Sequence, residues 1–244
     1  MLRYIITTRL AKIRWSIGWS LYHELDLPMD KVGSIIKSTD ADPWHYGSIQ
    51  DRRRRGEVIS TMDWIVKHVP KDELIFEVGC GCGANLIWLA QHGYRHLTGT
   101  DRSSSAISAA TQLAELARQS ITFRVADGFI PSGNNISVLM ALNSIYYAPI
   151  DMSKYLTSCR DRLASNGHVI FDMIDRAFDQ MPKNRYLTDD WRLPENQRRP
   201  TQYVVRISPK ELSEQATKAG FKTMINNLSG AKRPPRYLAV LRMD

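Results

Sequence analysis

The sequence predicts an α/β fold in which helices cover both faces of a seven-stranded, mostly parallel sheet. Short apolar runs alternate with helical patterns from residue 73 onward, and this alternation is typical of a parallel sheet. A turn with a glycine at every second position joins the first predicted strand to a helix. Five predicted strands also end in or beside a polar residue, where such sheets bind ligands. These residues are Glu77, Asp101, Asp127, Asn143 and Asp172.

The individual elements follow from apolar periodicity and from the residues that start and stop them. The predicted strands cover residues 74–78, 97–100, 121–125, 136–142, 168–172, 221–228 and 237–242, and the core helices cover 85–91, 104–117, 152–163 and 209–219. Hydroxyl side chains at 103–105 suit the cap of the second helix. Ser208-Pro209-Lys210-Glu211 predicts a capping box with proline at the first helical position.

The domain organisation predicted from these patterns has two parts. Residues 1–70 form an N-terminal helical segment, and residues 71–244 form a cofactor-binding domain with a basic, substrate-covering insertion at 175–207. A helix is predicted over 49–69, with Arg52-Arg53-Arg54-Arg55 in its first turns. Successive helical residues turn by about 100°, so this arginine run is not expected to face one ligand.

The glycine turn runs from Glu77 to Asn85 and reads Glu-Val-Gly-Cys-Gly-Cys-Gly-Ala-Asn. Glycine accepts positive φ and lets a ligand lie against bare backbone. Amide groups at the start of the following helix suit a phosphate or a nucleotide. Asp101 ends the next predicted strand, where a carboxylate suits the two hydroxyls of a ribose. Together these features predict a site for a nucleotide-like cofactor.

The acidic-x-Gly-x-Gly-x-Gly pattern resembles that of the class I S-adenosylmethionine-dependent methyltransferases, over residues 72–244. The resemblance implies a Rossmann-like sheet with an antiparallel C-terminal strand pair, and S-adenosylmethionine as the cofactor. It implies that Glu77 and the glycine turn hold the methionine end, that Asp101 binds the ribose, and that Asp127 reaches the adenine amino group. The expected cofactor residues are Glu77, Gly79, Cys80, Gly81, Gly83, Asn85, Asp101, Arg102, Asp127, Gly128 and Asn143.

A second resemblance concerns the acceptor side of the site. Asp42-Pro43-Trp44-His45-Tyr46 is similar to a segment of some small-molecule methyltransferases, including those acting on amino sugars of nodulation signals. It implies an aromatic lid; the alternative is a hydrophobic anchor for the preceding helix. A hydroxyl acceptor needs a base, and the candidates are His45, Tyr146, Asp172 and Asp175. The expected substrate contacts are Trp44, Tyr46, Tyr147 and Asp175.

The composition and net charge limit which binding partners are expected. The net charge of +8 allows a polyanionic partner or simply favours solubility. No apolar run is long enough to span a membrane, although weak association with a membrane surface remains open. Three cysteines argue against a disulfide framework; Cys80-x-Cys82 lacks the spacing of a metal site, so no metal is predicted. A cytoplasmic location is expected, and the apolar N-terminal helix makes a homodimer plausible.

The function predicted from these observations is in-line transfer of a methyl group to a hydroxyl or amine of a small molecule or saccharide. Its acceptor could be anionic or carry a nucleotide or phosphate, as in polysaccharide or secondary-metabolite biosynthesis. One alternative is an RNA methyltransferase acting on tRNA or rRNA, which the charge favours. Another is a non-catalytic, partner-binding subunit with the same fold. The glycine spacing disfavours a nicotinamide dehydrogenase.

Overall fold

The computed structural model describes residues 23–52, 55–180, 194–197, 203–228 and 234–244. Most of the N-terminal helix expected over residues 1–38 and much of the insertion expected over 175–207 therefore lie outside the described residues. So do Arg53 and Arg54 and most of the basic turn before the last strand.

The sheet has seven strands: β1 (Leu74–Val78), β2 (His96–Asp101), β3 (Thr122–Val125), β4 (Ile136–Ala141), β5 (Leu163–Ile174), β6 (Phe221–Asn227) and β7 (Arg236–Met243). Their spatial order is β3-β2-β1-β4-β5-β7-β6. Strands β1 to β5 pair in parallel, whereas β7 runs antiparallel to both β5 and β6. The predicted Rossmann-like fold with an antiparallel C-terminal pair is confirmed.

Seven helices accompany the sheet: α1 (Met29–Ser38), α2 (Trp44–Gln50), α3 (Gly56–His68), α4 (Ala84–Gln91), α5 (Ser104–Leu116), α6 (Met152–Arg160) and α7 (Pro209–Lys218), counted over the described ranges. Short 3₁₀ turns cover Ile145–Tyr147, Arg176–Gln180 and Glu195–Gln197. Both predicted caps are present. Ser103 Oγ accepts a hydrogen bond from the Ala106 amide, and Ser208 and Glu211 form the capping box of α7.

Side chains that alternate along the strands build a core on each face of the sheet. Phe76 and Val78 of β1 pack in the cluster that contains residues of α6 and α7. Ile75 points the other way and packs with residues of α3 and α4. Within the described part of the chain, no helix combines the length and apolar character needed to cross a membrane.

The predicted continuous helix over 49–69 is wrong. Pro43 already has helical φ and ψ of −56° and −24°, so α2 starts at Trp44, ahead of the predicted start at residue 49. That helix ends at Gln50, and Arg55 has an extended backbone before α3 begins at Gly56. Arg52 therefore lies in the connection between two helices, with a buried side chain. The argument from the 100° turn between helical residues therefore does not apply to Arg52 or Arg55, which both lie outside the two helices.

Candidate active site

A small cavity lies at the carboxyl edge of the parallel strands, between the glycine turn and α2. Its floor includes Glu77, Gly79 and Gly81, and α2 contributes Trp44 and His45 above them. The cavity measures about 70 Å³, well below the roughly 300–1,000 Å³ of a typical ligand pocket. Helix α2 therefore fills much of the space that the glycine turn borders.

The glycine turn depends on left-handed backbone and on the absence of side chains. Gly79 and Gly81 have φ of +68° and +52°, which glycine adopts at little cost. A Cβ on Gly81 would lie 2.8 Å from His45 Cε1, so only glycine lets α2 approach this closely. Asp101 fixes the turn: its Oδ2 accepts from the Gly81 amide and its Oδ1 from the Ser103 amide, both at 2.9 Å.

A chain of three polar side chains, the two outer ones buried, runs along one wall of the cavity. Glu77 Oε1 accepts a hydrogen bond of 2.5 Å from Asn85 Nδ2, and Asn85 Oδ1 accepts one from Arg52 Nη1. Glu77 and Arg52 are each only 1% exposed. Glu77 Oε2 and Arg52 Nε and Nη2 have no hydrogen-bond partner among the described residues. The guanidinium also lies 5.6 Å from the centre of the Trp88 ring.

Burial shifts the pKa of both charged ends of this chain. Desolvation raises the pKa of Glu77 to about 7, against the lowering effects of the Asn85 hydrogen bond and the Arg52 charge. Desolvation also lowers the pKa of Arg52 to about 9, although the Glu77 charge opposes that change. For both groups, the cost of removing the charge from water outweighs the attraction between the Glu77 and Arg52 charges. This is expected because Asn85 lies between the two side chains and they form no direct ion pair.

We expect Glu77→Gln to remove a pH dependence of stability in the ligand-free protein. Folding raises the pKa of Glu77, so between pH of about 4.5 and about 7 the native state holds a proton that the unfolded chain has lost. The free energy of unfolding therefore falls as the pH rises through this range. The total contribution is about 3 kcal/mol. Urea unfolding at pH 5 and pH 7.5 measures it, because the difference between wild type and variant cancels the other carboxylates. A difference that stays constant with pH would contradict the assignment.

A second buried polar network joins β4, β5, β7 and α3. The fully buried Asp172 accepts a hydrogen bond of 2.6 Å from the Asn143 amide and forms an ion pair with Arg236. Asn143 has φ of +53°, donates to Glu57 at 2.9 Å and accepts from the Tyr146 hydroxyl at 3.1 Å. Burial raises the pKa of Asp172 in spite of Arg236. This network holds the ends of the strands together.

His45 of α2 lines the cavity directly above the glycine turn. It is 4% exposed and lies 3.8 Å from the Trp44 ring, centre to centre. Burial lowers its pKa, against the opposing charges of Asp101 and Asp42. The imidazole is therefore neutral at pH 7. Its Nδ1 has no hydrogen-bond partner among the described residues.

Exposed apolar side chains surround this part of the molecule. Trp44 is 56% and Tyr147 is 43% exposed. Tyr147 packs against the rings of Tyr146 and Tyr203, at centre distances of 4.7 and 5.8 Å. The backbone amide of the exposed Val204 donates to the Tyr146 carbonyl at 2.8 Å. The chain leaving the insertion is thus fixed beside Tyr146 and Tyr147.

The structure brings most of the predicted residues together at one edge, and their predicted roles remain predictions. Those lining the cavity are Trp44, His45, Glu77, Gly79, Cys80, Gly81, Asn85 and Asn143. Tyr146 and Asp172 lie in the buried network, with a pKa of Tyr146 raised well above its ordinary value by burial. Gly83 starts α4, and Asp101 anchors the turn.

Tyr147, described above, and five other predicted residues lie outside the cavity lining. Tyr46 faces α1 and lines a separate groove with Gly33 and Ser103. Asp175 accepts from the Ala177 amide at 3.0 Å and so caps a 3₁₀ turn. Asp127 and Gly128 follow β3, and Arg102 is exposed after β2. The sequence patterns did not single out Arg52, Glu57 and Arg236. The arginine run was the one local signal for Arg52, and the assumed helix obscured it.

Comparison with known families identifies the family of this chain. A family model described as a methyltransferase domain matches residues 51–224 of the 244. The chain belongs to the class I S-adenosylmethionine-dependent methyltransferases. This confirms the family predicted from the glycine turn, and the cofactor of this methyltransferase is S-adenosylmethionine.

Solved structures and curated relatives agree with this family. Magnesium protoporphyrin IX methyltransferase from Synechocystis PCC 6803 with bound SAH aligns with a TM-score of 0.62 at 17% identity, covering 86% of this chain and 94% of that one. Mouse EEF1A lysine methyltransferase 2 is 37% identical over 71 residues, which are 28% of this chain and 29% of the relative. The ribosomal RNA small subunit methyltransferase C of Alcanivorax borkumensis is 28% identical over 98 residues, covering 39% and 29%. The chain thus matches less than a third of the length of either curated relative.

The residues of the glycine turn fit the methionine end and the ribose of the cofactor. Glu77 Oε2 is a buried acceptor without a partner among the described residues, which suits an ammonium group. Gly79 and Gly81 present bare backbone at this edge, and the nearest side chains over them are Ser144 and His45. Each carboxylate oxygen of Asp101 uses one lone pair on a main-chain amide. The lone pairs that remain can accept from ribose hydroxyls.

Proposed function

We propose that the protein transfers the methyl group of S-adenosylmethionine to a hydroxyl or amine of a small, ring-bearing molecule. The observation that carries this proposal is the position of α2, which covers the glycine turn so closely that only about 70 Å³ is left between them. A site beneath the chain's own helix favours an acceptor small enough to enter it. A residue on a folded protein or on structured RNA would need a more open rim.

The bound cofactor supplies an electrophilic methyl group, and the chain's own residues supply position and proton transfer. Holding two reactants in line contributes several kcal/mol to such a displacement. A hydroxyl loses its proton during transfer, and an amine that arrives as an ammonium ion must lose one beforehand. His45 suits this task, since it is neutral at pH 7 and lines the cavity. The raised pKa of Tyr146 and the ion pair of Asp172 make these two weaker candidates.

The cavity-lining Trp44 and the exposed Tyr147 indicate the chemistry of the acceptor. The exposed rings of Trp44 and Tyr147 offer flat apolar faces, on which a saccharide or another ring can stack. Arg55 also lines the cavity, and a guanidinium favours a carboxylate or phosphate on the acceptor. A saccharide or a comparable ring that carries an anionic group meets both requirements.

The second candidate is a methyltransferase acting on ribosomal RNA. The net charge of +8 favours a polyanionic partner, and one of the matching relatives is a ribosomal RNA methyltransferase. Cover of the cofactor site by α2 weighs against it, because a base or ribose within a folded RNA would have to be extruded to enter.

We expect label from methyl-labelled S-adenosylmethionine to appear in the small-molecule fraction of an extract of the source cells. The extract is divided into small-molecule, RNA and protein fractions, and each is incubated separately with the purified protein. The Glu77→Ala variant is the control for carry-over of free cofactor. Label confined to RNA would support the second candidate, and label confined to protein would contradict both. No transfer to any fraction would favour a non-catalytic subunit.

A further inference from the structure

We propose that the acceptor is methylated on oxygen, because the cavity offers the acceptor a neutral imidazole and a guanidinium but no carboxylate to balance a positive nitrogen. The proposal rests on the proposed function and deepens it by choosing the hydroxyl over the amine. His45 and Arg55 line the cavity, and the part of the cavity beside them is called the acceptor side. The choice depends on the charges that surround this part.

The carboxylates around the cavity already have partners. Glu77 is the one acidic residue among the described residues that line the cavity, and its open oxygen, Oε2, suits the ammonium group of the cofactor. Asp101 accepts from two main-chain amides, and Asp172 is paired with Arg236. Glu57 accepts a side-chain hydrogen bond of 2.9 Å. Within the described cavity lining, no carboxylate is therefore left for the nitrogen of an acceptor.

Positive charge on the acceptor side makes a nitrogen cation more costly. Arg55 is half-buried, and after burial its charge also lowers the pKa of His45. Burial raises the pKa of Tyr147, and the Arg55 charge is among those that oppose this rise. An amine carries positive charge before it loses a proton and again after it gains a methyl group. A cation that is partly removed from water needs a counter-charge, and here it would meet a guanidinium instead.

A hydroxyl group avoids this cost, since both the alcohol and its methyl ether are neutral. Its oxygen takes the methyl carbon with a lone pair, the electron pair of the broken carbon–sulfur bond stays on sulfur, and the O–H proton passes to His45. The receiving atom is Nδ1, which faces Gly81 and has no hydrogen-bond partner among the described residues. Burial lowers the pKa of His45, but the charges of Asp101 and Asp42 raise it and so stabilise the imidazolium that forms. Asp42 lines the neighbouring groove rather than the cavity, so it acts through its charge alone.

Isotope labelling identifies the atom that receives the methyl group, even before the acceptor is known. The source cells are grown on ¹⁵N as the sole nitrogen source, and the small-molecule fraction of their extract is incubated with the protein and methyl-¹³C S-adenosylmethionine. The same fraction without the protein is the control for other methyltransferases. A methyl carbon on nitrogen is split by the ¹⁵N nucleus in a carbon NMR spectrum. We expect an unsplit signal at the chemical shift of a methoxy group, and only in the sample that contains the protein.

A measurement on the protein itself tests the charge argument. NMR titration follows the imidazole signal of His45 in the complex with S-adenosylhomocysteine, and its absence from His45→Gln identifies it. We expect Arg55→Met to raise the pKa of His45, because the variant removes a neighbouring positive charge. Arg160→Met is the matched control and should leave this pKa unchanged, since Arg160 bonds the Ala219 carbonyl and does not line the cavity.

The possible results separate this proposal from the proposed function. A methyl signal split by ¹⁵N would overturn the assignment to oxygen and leave the proposed function intact. A methyl group on carbon or sulfur, or no signal that depends on the protein, would overturn both. An unchanged pKa of His45 in Arg55→Met would show that the guanidinium does not act on the acceptor side, which would overturn the charge argument.

Discussion

Replacing His45 with glutamine is expected to slow methyl transfer by about 10²- to 10⁴-fold, the usual contribution of a general base, while changing the affinity for S-adenosylhomocysteine far less. Glutamine has similar size and polarity but cannot take a proton at neutral pH. Burial lowers the pKa of His45, so the neutral, active form persists below pH 6.5. The wild-type rate should therefore fall only on the acid side of that value, and the variant should lack this decline.

Tyr46→Phe is the matched control for the His45 variant. Tyr46 lies on the same helix but lines the groove shared with α1, so the loss of its hydroxyl should leave the rate close to that of wild type. Single-turnover rates and calorimetric affinities separate chemistry from binding. An equal loss of rate and of cofactor affinity in His45→Gln would show that His45 only positions α2.

Replacing Arg236 with methionine is expected to lower the free energy of unfolding by about 3–5 kcal/mol, because it leaves a buried carboxylate without its counter-ion. The partner, Asp172, is fully buried. Burial already raises the pKa of Asp172 with the arginine present. The loss should therefore be larger at pH 8 than at pH 5, where a proton can neutralise the carboxyl group. Urea unfolding at the two pH values measures both effects.

Two further variants make the Arg236 prediction specific. Arg176→Met breaks an ion pair of 3.0 Å with Glu211 whose side chains are both exposed, and such pairs contribute about 0–1 kcal/mol. Adding Asp172→Asn to Arg236→Met should recover part of the loss, since an amide can still accept from the Asn143 amide without burying a charge. A loss in Arg236→Met no larger than that in Arg176→Met would mean that the pair does not stabilise the fold.

Local pattern predicted the sheet and the glycine turn because both depend on residues close together in sequence. Gly79 and Gly81 need their left-handed backbone whatever surrounds them, and β1 was predicted to the residue. Strand β5 instead begins at Leu163, five residues before the predicted start. Its pairing with β4 extends past Gly167, back to Leu163 opposite Ile136. That extension is set by the neighbouring strand rather than by the apolar run.

The parts of the site that were not predicted are those joined over long sequence distances. Asn143 bonds Glu57 from 86 positions earlier and Arg236 from 93 positions later. A single sequence offers no periodicity across such gaps. Arg52 was missed for another reason: a break of a few residues between α2 and α3 turned its side chain inward. Propensity scarcely distinguishes such a break from a continuous helix.

The contact between His45 and the glycine turn has a consequence for the rate of cofactor exchange. Because so narrow a gap is left beneath α2, we expect this helix to move outward when the cofactor enters and when the demethylated thioether leaves. Entry of the methyl donor and exit of the demethylated product would then depend on the same movement of α2. Motions of this kind take microseconds to milliseconds and often govern turnover.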